Sequence, residues 1–406
     1  MAVKKMVILG LGQRGTKYAE YAVGNPGEFS LAAIIENDPR RAEAGKKVFQ
    51  GVPFFSDYRE FLEKKIPADI VAVATQDKDH KEHAIAMMRA GYDLLLEKPI
   101  SNNEADCRAI YEESKKCGRK VVVCHVLRYT PFYSTVKSII DSGKLGEIVN
   151  VTASENVGFY HQAHSFVRGP WRNSKESSPM ILAKCCHDMD ILRWLIGKRC
   201  LAVSSMGTLS RFKAENAPAG SAQYCSDCSV ECPYRAQKLY LHWRWCAAYF
   251  TVGELTDENI LSSLRHSQYD RCVYHCDNDV VDHEATIVDF EGGVIASHTM
   301  TAFSREIYRE LHLYGTKAEL VGVMEDEKIE IRPFEGEVEY ITLDKKLASG
   351  NHGGGDNGMM HALYRDLNGE KVPEVTYLDV SLESHLMSFA AERSRLSGGN
   401  RVEIKA

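Results

Sequence analysis

Short apolar runs alternate with amphipathic stretches along the first hundred residues, and this alternation is the main signal in the sequence. The apolar runs predict strands over 3–9, 30–35, 52–55, 69–74 and 92–96. The stretches between them predict helices over 16–23, 39–48, 58–64 and 80–90. Strands and helices in this order predict an α/β fold with a parallel, doubly wound sheet. In such a sheet, ligands bind at the carboxyl ends of the strands.

A glycine-rich motif, GLGQRG, lies between the first predicted strand and the first predicted helix. Its GxGxxG spacing in this context is typical of dinucleotide binding, because glycines allow a tight turn and a close approach of the pyrophosphate. Amide groups at the helix N-terminus then supply an anion site. The sequence therefore predicts cofactor binding by this motif, through Gly10, Gly12, Gln13, Arg14 and Gly15.

The ends of the other predicted strands provide further candidate cofactor ligands. Glu36 ends the second strand, where a carboxylate can accept hydrogen bonds from the adenosine ribose and repels a 2′-phosphate. This favours NAD, although the nearby Arg40 and Arg41 leave NADP as the less favoured alternative. A solvated loop acid is the competing interpretation of Glu36. The later strand ends add Thr75, His80, Glu97 and Lys98.

Six segments spread over most of the chain together resemble the Gfo/Idh/MocA family of NAD(P)-dependent oxidoreductases. They are GLGQRG at 10–15, ATQDKDH at 74–80, AGYDLLLEKPIS at 90–101, LRYTPFYSTVKSIIDSGKLGEI at 127–148, HDMDILRWLIG at 187–197 and LYGTKAEL at 313–320. The resemblance implies a Rossmann domain over 1–126 and a substrate-binding α/β domain over 127–406. The second domain would have a large, mostly antiparallel sheet that also serves a homo-oligomer, dimer or tetramer.

The same resemblance implies an activity and a set of roles. Family members commonly oxidise or reduce a secondary alcohol of a sugar, inositol or related polyol. By analogy, Lys98 reaches the nicotinamide ribose and the substrate, His187 faces the reacting hydroxyl, and Arg128 lies on the cofactor side. Many members carry an aspartate four residues before the histidine, whereas this chain has Ala183 there.

The segment 180–195 is largely apolar and predicts a buried helix. Lys184, His187 and Asp188 interrupt it at spacings of three and four, which places them on one helix face. Hydride transfer from an alcohol needs a base for the hydroxyl proton and donors for the developing carbonyl oxygen. We expect Lys98 and these three residues to be catalytic, with Lys184 or Asp188 replacing part of the missing aspartate's role.

Two further stretches are candidates for substrate contact. Residues 155–173 are dense in His, Arg, Trp and Tyr without apolar periodicity, so they predict an ordered loop that suits a sugar. Its candidate ligands are His161, His164, Arg168, Trp171 and Arg172, with a buried structural network as the alternative. Residues 351–358, NHGGGDNG, predict a glycine-rich loop that closes over the substrate with His352 and Asp356, or a flexible turn.

A cysteine cluster stands apart from the family motifs, in a predicted helix-rich insertion over about 201–276. Cys225, Cys228 and Cys232 follow the pattern C-x2-C-x3-C, which resembles a zinc knuckle without its fourth ligand. Cys272, His275 or Cys276 could complete the site, and we take Cys276. An iron–sulfur cluster and free thiols are the alternatives to structural zinc.

Composition narrows the class of protein. Hydrophobic residues make up 44% and charged residues 26%, as in ordinary globular proteins, and the length of 406 residues predicts two domains or three small ones. The net charge of −6 gives no reason to expect nucleic-acid binding. No apolar run approaches the roughly 18 residues of a membrane-spanning helix. Twelve cysteines and no recognisable secretion signal predict a reducing, cytoplasmic location.

Three functions remain open at this stage. The leading one is an NAD-dependent oxidoreductase acting on a secondary hydroxyl of a sugar, glycoside or polyol. The second is an NAD-dependent glycoside hydrolase, which oxidises the sugar transiently, eliminates the aglycone, adds water and re-reduces the product. The third is a non-catalytic dinucleotide sensor, which the presence of both Lys98 and His187 argues against.

Overall fold

The computed structural model describes residues 1–251, 253–348 and 351–405. Its first sheet contains β1 (Lys4–Leu9), β2 (Phe29–Ile35), β3 (Phe54–Phe55), β4 (Ile70–Val73), β5 (Asp93–Leu96) and β6 (Val121–Val123). All six strands are parallel, in the spatial order β3-β2-β1-β4-β5-β6. This doubly wound order places the loops after β1 and β4 at the point where the strand order reverses. The predicted Rossmann sheet is confirmed.

The second sheet has nine strands. They are β7 (Ile148–Asn156), β8 (Cys200–Thr208), β9 (His283–Phe290), β10 (Val294–Thr301), β11 (Tyr308–Gly315), β12 (Ala318–Val323), β13 (Lys328–Pro333), β14 (Glu339–Thr342) and β15 (Val402–Glu403). Their order is β14-β13-β12-β11-β7-β10-β9-β8-β15, and every pairing is antiparallel except that of β7 with β10. The mostly antiparallel second sheet is therefore also confirmed.

The helices cover both sheets. They are α1 (Gln13–Gly24), α2 (Pro39–Val48), α3 (Tyr58–Lys64), α4 (His80–Arg89), α5 (Glu104–Cys117), α6 (Pro131–Asp141), α7 (Phe159–His161), α8 (Met180–Ala183), α9 (Cys186–Ile196), α10 (Ala236–His242), α11 (Arg244–Ala247), α12 (Asp257–Leu264), α13 (Gly355–Leu367) and α14 (Leu378–Leu396). In the described parts of the chain, none of them combines the length and the apolar character that crossing a membrane requires.

Of the two long C-terminal helices, α14 packs against both sheets and α13 packs against the first. In α14, Leu382 and Leu386 pack in the core of the first sheet, while Met387 and Ala390 pack in the core of the second. Helix α13 returns to the first sheet, where Met359 and other residues join its core. The site between the sheets is therefore bounded by residues that are far apart in sequence. The division at residue 126 stays a prediction.

One face of the second sheet is covered by helices, and the other is left open. On the open face Val149, Ile287 and Tyr314 are exposed, while their strand neighbours, such as Val288, are buried. This alternation is the period-2 pattern of a sheet with one covered face. Assembly into a dimer or tetramer through such a face stays a prediction.

Several segments differ from the expectations stated above. Residues 155–173 are not a loop: they end β7, form α7 and continue as a buried π-helical segment over Gln162–Arg168. Aromatic rings from the insertion pack on this segment, for example Tyr269, which stacks on His164 at 4.7 Å between ring centroids. The insertion itself begins after Thr208, because residues 200–208 form β8. Asp356 lies in the first turn of α13 rather than in a loop.

Candidate active site

The loop after β1 has the geometry that a dinucleotide pyrophosphate requires. Gly10 has a φ of +94°, and a Cβ on Gly15 would lie 1.9 Å from the Gly10 carbonyl oxygen, so both positions need glycine. A Cβ on Gly12 would meet no atom within 4 Å, which shows open space beside this residue. Helix α1 begins at Gln13 with no side-chain cap, so its N-terminal amides remain available to an anion.

Glu36 is buried at the end of β2 rather than solvated, and only 4% of its surface is exposed. Its carboxylate accepts hydrogen bonds from the amides of Leu11 at 2.6 Å and Asp38 at 2.7 Å. An ionised carboxylate has about four acceptor positions, so two remain for other donors. Glu36 therefore both fixes the glycine-rich loop and retains the capacity to accept ribose hydroxyls.

Arg14 joins the first sheet to α13 through two carboxylates. Its Nε donates to Glu97 at 2.6 Å, and its Nη2 donates to Asp356 at 2.7 Å. The Tyr18 hydroxyl also donates to Glu97. Burial would raise the pKa of Asp356, but a hydrogen bond from His352, at 3.2 Å, and the charge of Arg14 lower it. This chain of charges brings His352 and Asp356 from the C-terminal part of the sequence to the cofactor loop.

Lys98 follows β5 and reaches across to the second sheet. Its Nζ donates to the main-chain carbonyl oxygen of Ala183 at 3.1 Å. That carbonyl is accessible because the predicted continuous helix is in fact two helices, α8 and α9, which are separated at Lys184 and Cys185. The main-chain oxygen of Ala183 thus supplies a partner for Lys98 at the position where the family resemblance led us to expect an aspartate.

His187, in the first turn of α9, is a buried and neutral imidazole. Burial lowers its pKa well below the usual value, and the positive charge of Lys98 lowers it further. Its ring lies 5.6 Å from that of His125 and 5.9 Å from that of His352, centroid to centroid. Neither ring nitrogen has a hydrogen-bond partner in the described chain. His187 is therefore available to exchange a proton with a substrate.

Lys184 and Asp188 belong to a buried network of alternating charges. Lys184 lies 3.0 Å from Glu155, which also pairs with Arg309, and the Arg309 Nε lies 2.9 Å from Asp188. Glu155 is fully buried and the side chain of Arg309 is only 6% exposed. Two positive and two negative groups cancel here, so the network fixes α9 and β11 against β7 without leaving a net charge.

Asp188 is also part of the one compact group of potential metal ligands found in the described ranges. It lies with Cys185 and His298, and their ligand atoms are within 4.8 Å of one another. The oxygen of Asp188 that faces His298 at 3.9 Å is the same one that pairs with Arg309. A guanidinium at this position would repel a cation, so we interpret the group as part of the charge network.

Thr75 and His80 lie beside the cofactor loop, but their side chains have partners within the protein. His80 contacts the carbonyl oxygens of Pro99 at 2.9 Å and Thr75 at 3.2 Å, and so holds the loop after β4 against the loop after β5. The Thr75 hydroxyl lies 3.0 Å from His83 Nδ1. Arg128 forms a buried bidentate pair with Asp190, with both contacts at 2.6 Å. Cofactor contact by these three residues stays a prediction.

The candidate substrate ligands of 155–173 do not converge on one place. His161 lies near the site, since the charges of Lys184 and Lys98 both lower its pKa, after burial as the main cause. His164 lies instead in the aromatic core of the insertion, where burial lowers its pKa to about 3. Arg172 pairs with Asp277 at 2.7 Å. Trp171 packs against the core of the second sheet, and Arg168 is buried in the insertion among cysteines.

Comparison with known families agrees with this geometry. Residues 4–125 match the family described as "Oxidoreductase family, NAD-binding Rossmann fold", and residues 133–321 match the "GFO/IDH/MocA C-terminal domain". The chain belongs to the Gfo/Idh/MocA oxidoreductase family. The resemblance deduced from the six sequence motifs is therefore confirmed, and the chain is an oxidoreductase by family membership.

Relatives and solved structures in this family include dehydrogenases. The protein YteT of Bacillus subtilis (strain 168), which is named as an oxidoreductase, is 27% identical over 363 residues, or 83% of this chain and 82% of the relative. Inositol 2-dehydrogenase 2 of Saccharopolyspora erythraea is 27% identical over 199 residues, or 49% of this chain and 55% of the relative. The structure of levoglucosan dehydrogenase with NADH and levoglucosan superposes with a TM-score of 0.74 at 17% identity, over the whole of both chains.

Several residues of this Gfo/Idh/MocA site escaped the sequence reasoning. His125 lies between His187 and His385 in a row of buried rings. Glu155 and Arg309 complete the charge network. Glu155 was the first residue of the aromatic-rich stretch, and its position near the end of β7, a strand of mixed apolar and polar residues, was the one available signal. Arg309 had none, because its partners are more than 100 residues away.

Proposed function

We propose that this protein is an NAD-dependent oxidoreductase that transfers a hydride between nicotinamide and a secondary hydroxyl of a sugar, glycoside or polyol. The observation that carries the proposal is His187, a buried neutral imidazole with both nitrogens unpartnered among the described residues, close to the positive charge of Lys98. A base and a cationic donor together satisfy the requirements of alcohol oxidation.

The residues at the cofactor loop fit a nicotinamide dinucleotide. The open space at Gly12 and the N-terminus of α1 would hold the pyrophosphate, and Glu36 would accept the adenosine ribose hydroxyls. Because Glu36 is a buried carboxylate, it would repel the 2′-phosphate of NADP. The nicotinamide supplies hydride acceptance or donation when it is bound. The NADH complexes of the solved levoglucosan and WlbA dehydrogenases, which share the fold, support NAD as the cofactor.

Within the site, different residues take the proton of the substrate hydroxyl and stabilise the charge that develops on its oxygen. A nitrogen of His187 takes the hydroxyl proton in oxidation and returns it in reduction. The ammonium of Lys98 donates to the reacting oxygen and is oriented by the carbonyl oxygen of Ala183. Lys184 and Asp188 are already paired with Glu155 and Arg309, so we assign them a positioning role rather than proton exchange.

Polar groups around this pair suit a substrate rich in hydroxyls. Three further polar residues on different elements lie close to Lys98 and His187. Charges on Lys184 and Lys98 lower the pKa of His161, and a charge on His352 lowers that of His187, in each case after burial as the largest cause. The relatives named as inositol 2-dehydrogenases and the structure that contains levoglucosan support a polyol or sugar as substrate. Glycosides fall in the same chemical class.

The test combines the purified protein with NAD and a panel of free sugars, inositols and aryl glycosides. NADH absorbance and aglycone release are followed together. We expect NADH to accumulate with at least one member of the panel. His187→Gln should lower turnover about 10²–10⁴-fold without weakening NADH binding, because a general base is lost while the cofactor loop is untouched.

The matched control is His266→Gln, which changes an exposed histidine of the insertion and should leave turnover unchanged. Aglycone release with no net NADH would contradict the dehydrogenase and support the redox-assisted glycoside hydrolase. Full NADH binding with no turnover of any member of the panel would support a sensor instead.

A further inference from the structure

The insertion contains a cavity that the oxidoreductase chemistry does not use. Four cysteines line it: Cys225, Cys228, Cys232 and Cys272. The side chain of Arg168 forms part of the same wall. None of these residues belongs to the cofactor loop or to the group around His187, so the cavity is a separate feature of the chain.

The backbone brings the fourth cysteine to the other three. Tyr224 and Arg271 form an isolated antiparallel bridge, and the amide of Cys272 donates to the carbonyl oxygen of Gln223 at 2.9 Å. These contacts place Cys272 opposite Gln223, two residues before Cys225. The other two cysteines follow in the C-x2-C-x3-C pattern. Thus a local pattern and one long-range pairing together give four thiols facing one space.

Cys276, the fourth ligand expected from the sequence, is not in the cavity wall. Its Sγ instead donates to the carbonyl oxygen of Cys272 at 3.3 Å. His275 is also engaged elsewhere, with its Nε2 3.2 Å from the Ser221 hydroxyl. The spacing of the sequence could not distinguish among these candidates, because all three lie within five residues of one another.

Arg168 indicates the charge of what the cavity holds. It is fully buried, donates to the carbonyl oxygens of Arg271 at 2.6 Å and Tyr234 at 2.8 Å, and contacts the Sγ of Cys225 at 3.5 Å. Its hydrogen bonds within the described residues go to two carbonyl oxygens and a sulfur and to no carboxylate, and its Nη1 is buried without a partner. Asp270 is close enough for the charge of Arg168 to act on it, but burial, the larger effect, raises the pKa of this carboxyl, and its Oδ1 accepts from the Ser226 amide. A buried, unpaired guanidinium is costly, so a negative group is expected here.

We propose that Cys225, Cys228, Cys232 and Cys272 bind a metal centre as four thiolates, with Arg168 as its buried counter-ion. Four thiolates around a zinc ion, or around an iron–sulfur cluster, give an anionic centre. The charge of Arg168 offsets part of that negative charge. The centre would hold the insertion against the π-helical segment that carries Arg168 and that directly follows His161, the histidine near the active site.

The spacing of the sulfurs favours the larger group. A zinc ion bound to four sulfurs at about 2.3 Å places those sulfurs about 3.8 Å apart. In the part of the chain that the structure describes, only the group around Cys185 has three ligand atoms within 4.8 Å of one another, so no three of these four sulfurs are that close. An iron–sulfur cluster fills a wider space between its thiolates, and Cys232 is followed by Pro233, as in many cluster-binding segments.

The experiment is metal analysis of the full-length protein, purified without oxygen from cells supplied with iron. Iron, acid-labile sulfide and zinc are measured per chain, with the visible absorbance spectrum. We expect about four iron and four sulfide per chain, as in a [4Fe–4S] centre. Cys272→Ser should lose most of this metal, whereas the matched control Cys276→Ser should retain it. NADH binding reports that both variants remain folded.

A second measurement needs no substitution. Alkylation of the native protein, followed by mass spectrometry, should spare the four cavity thiols until the metal is removed, while it modifies Cys117 at the same rate before and after. One zinc per chain that depends on Cys272 would support the four-thiolate site and overturn the cluster. Absence of both metals, or loss of metal in Cys276→Ser but not in Cys272→Ser, would overturn the proposal.

Discussion

The buried charge network gives the sharpest prediction on stability. Arg309→Met removes the guanidinium that pairs with both Glu155 and Asp188, and its side chain is only 6% exposed. Lys184 remains 3.0 Å from Glu155 and can compensate one carboxylate but not two. Breaking a buried pair by removing one partner costs about 3–5 kcal/mol. We expect Arg309→Met to lower the free energy of unfolding of the second domain by that amount.

The assay is urea denaturation followed by tryptophan fluorescence. All four tryptophans lie between residues 171 and 245, so the signal reports the second domain and not the Rossmann sheet. Arg401→Met is the matched control. It breaks the 2.9 Å pair with Asp289 on the same sheet, but this pair is about half exposed on the arginine side, so the loss should be about 1 kcal/mol or less.

The effect should also depend on pH. In Arg309→Met, burial without a partner raises the pKa of the stranded carboxylate above its unfolded value. The folded variant then binds a proton before the unfolded chain does, so the loss of stability is fully present at neutral pH and shrinks as the pH falls. Adding Asp188→Asn should recover part of the stability. A loss no larger than that of Arg401→Met at pH 7, or one that grows on acidification, would refute the reasoning.

The remaining predictions concern catalysis and cofactor binding. Burial and the charge of Lys98 lower the pKa of His187, so the imidazole stays unprotonated as the pH falls through 6.5. We therefore expect the pH profile of kcat/KM for alcohol oxidation to show no loss from this base near pH 6.5. A loss near pH 6.5 that disappears in His187→Gln would contradict the assignment. Gly12→Ala adds a Cβ into open space and should leave stability unchanged while weakening NADH binding, measured by NADH fluorescence. Gly15→Ala should weaken both, because its Cβ would lie 1.9 Å from the Gly10 carbonyl oxygen; equal stability of the two variants would argue against this packing.

The fold was largely predictable because its signals are local. Helices α2 and α3 begin and end at the predicted residues, and each has an aspartate at its N-cap. Asp38 accepts from the amide of Arg40 at 2.8 Å, and Asp57 accepts from that of Arg59 at 2.7 Å. Such caps, and the apolar runs of the parallel strands, depend on neighbours within a few residues. The second sheet followed from the family resemblance rather than from its own pattern.

The surroundings of the site were less predictable because they depend on distant partners. Arg168 and Arg172 look alike in sequence, as cations in an aromatic-rich stretch, yet one is fully buried beside Cys225 and the other pairs with Asp277. Nothing within the stretch separates the two. The difference arises from residues about 50 to 100 positions away, which fold over Arg168 and leave Arg172 at the edge of the insertion.

The missing aspartate at position 183 shows how a backbone group can take over a side chain's contact. From sequence, alanine there removes a carboxylate, and Lys184 or Asp188 were the candidates to replace it. In the structure both of these are committed to the charge network, and the helix is interrupted directly after residue 183. Because the helix is interrupted there, the carbonyl oxygen of Ala183 is available to a side chain, and the Nζ of Lys98 donates to it at 3.1 Å. A neutral carbonyl orients the ammonium but cannot accept its proton at ordinary pH. In the proposed reaction, the exchange of the hydroxyl proton is therefore assigned to His187.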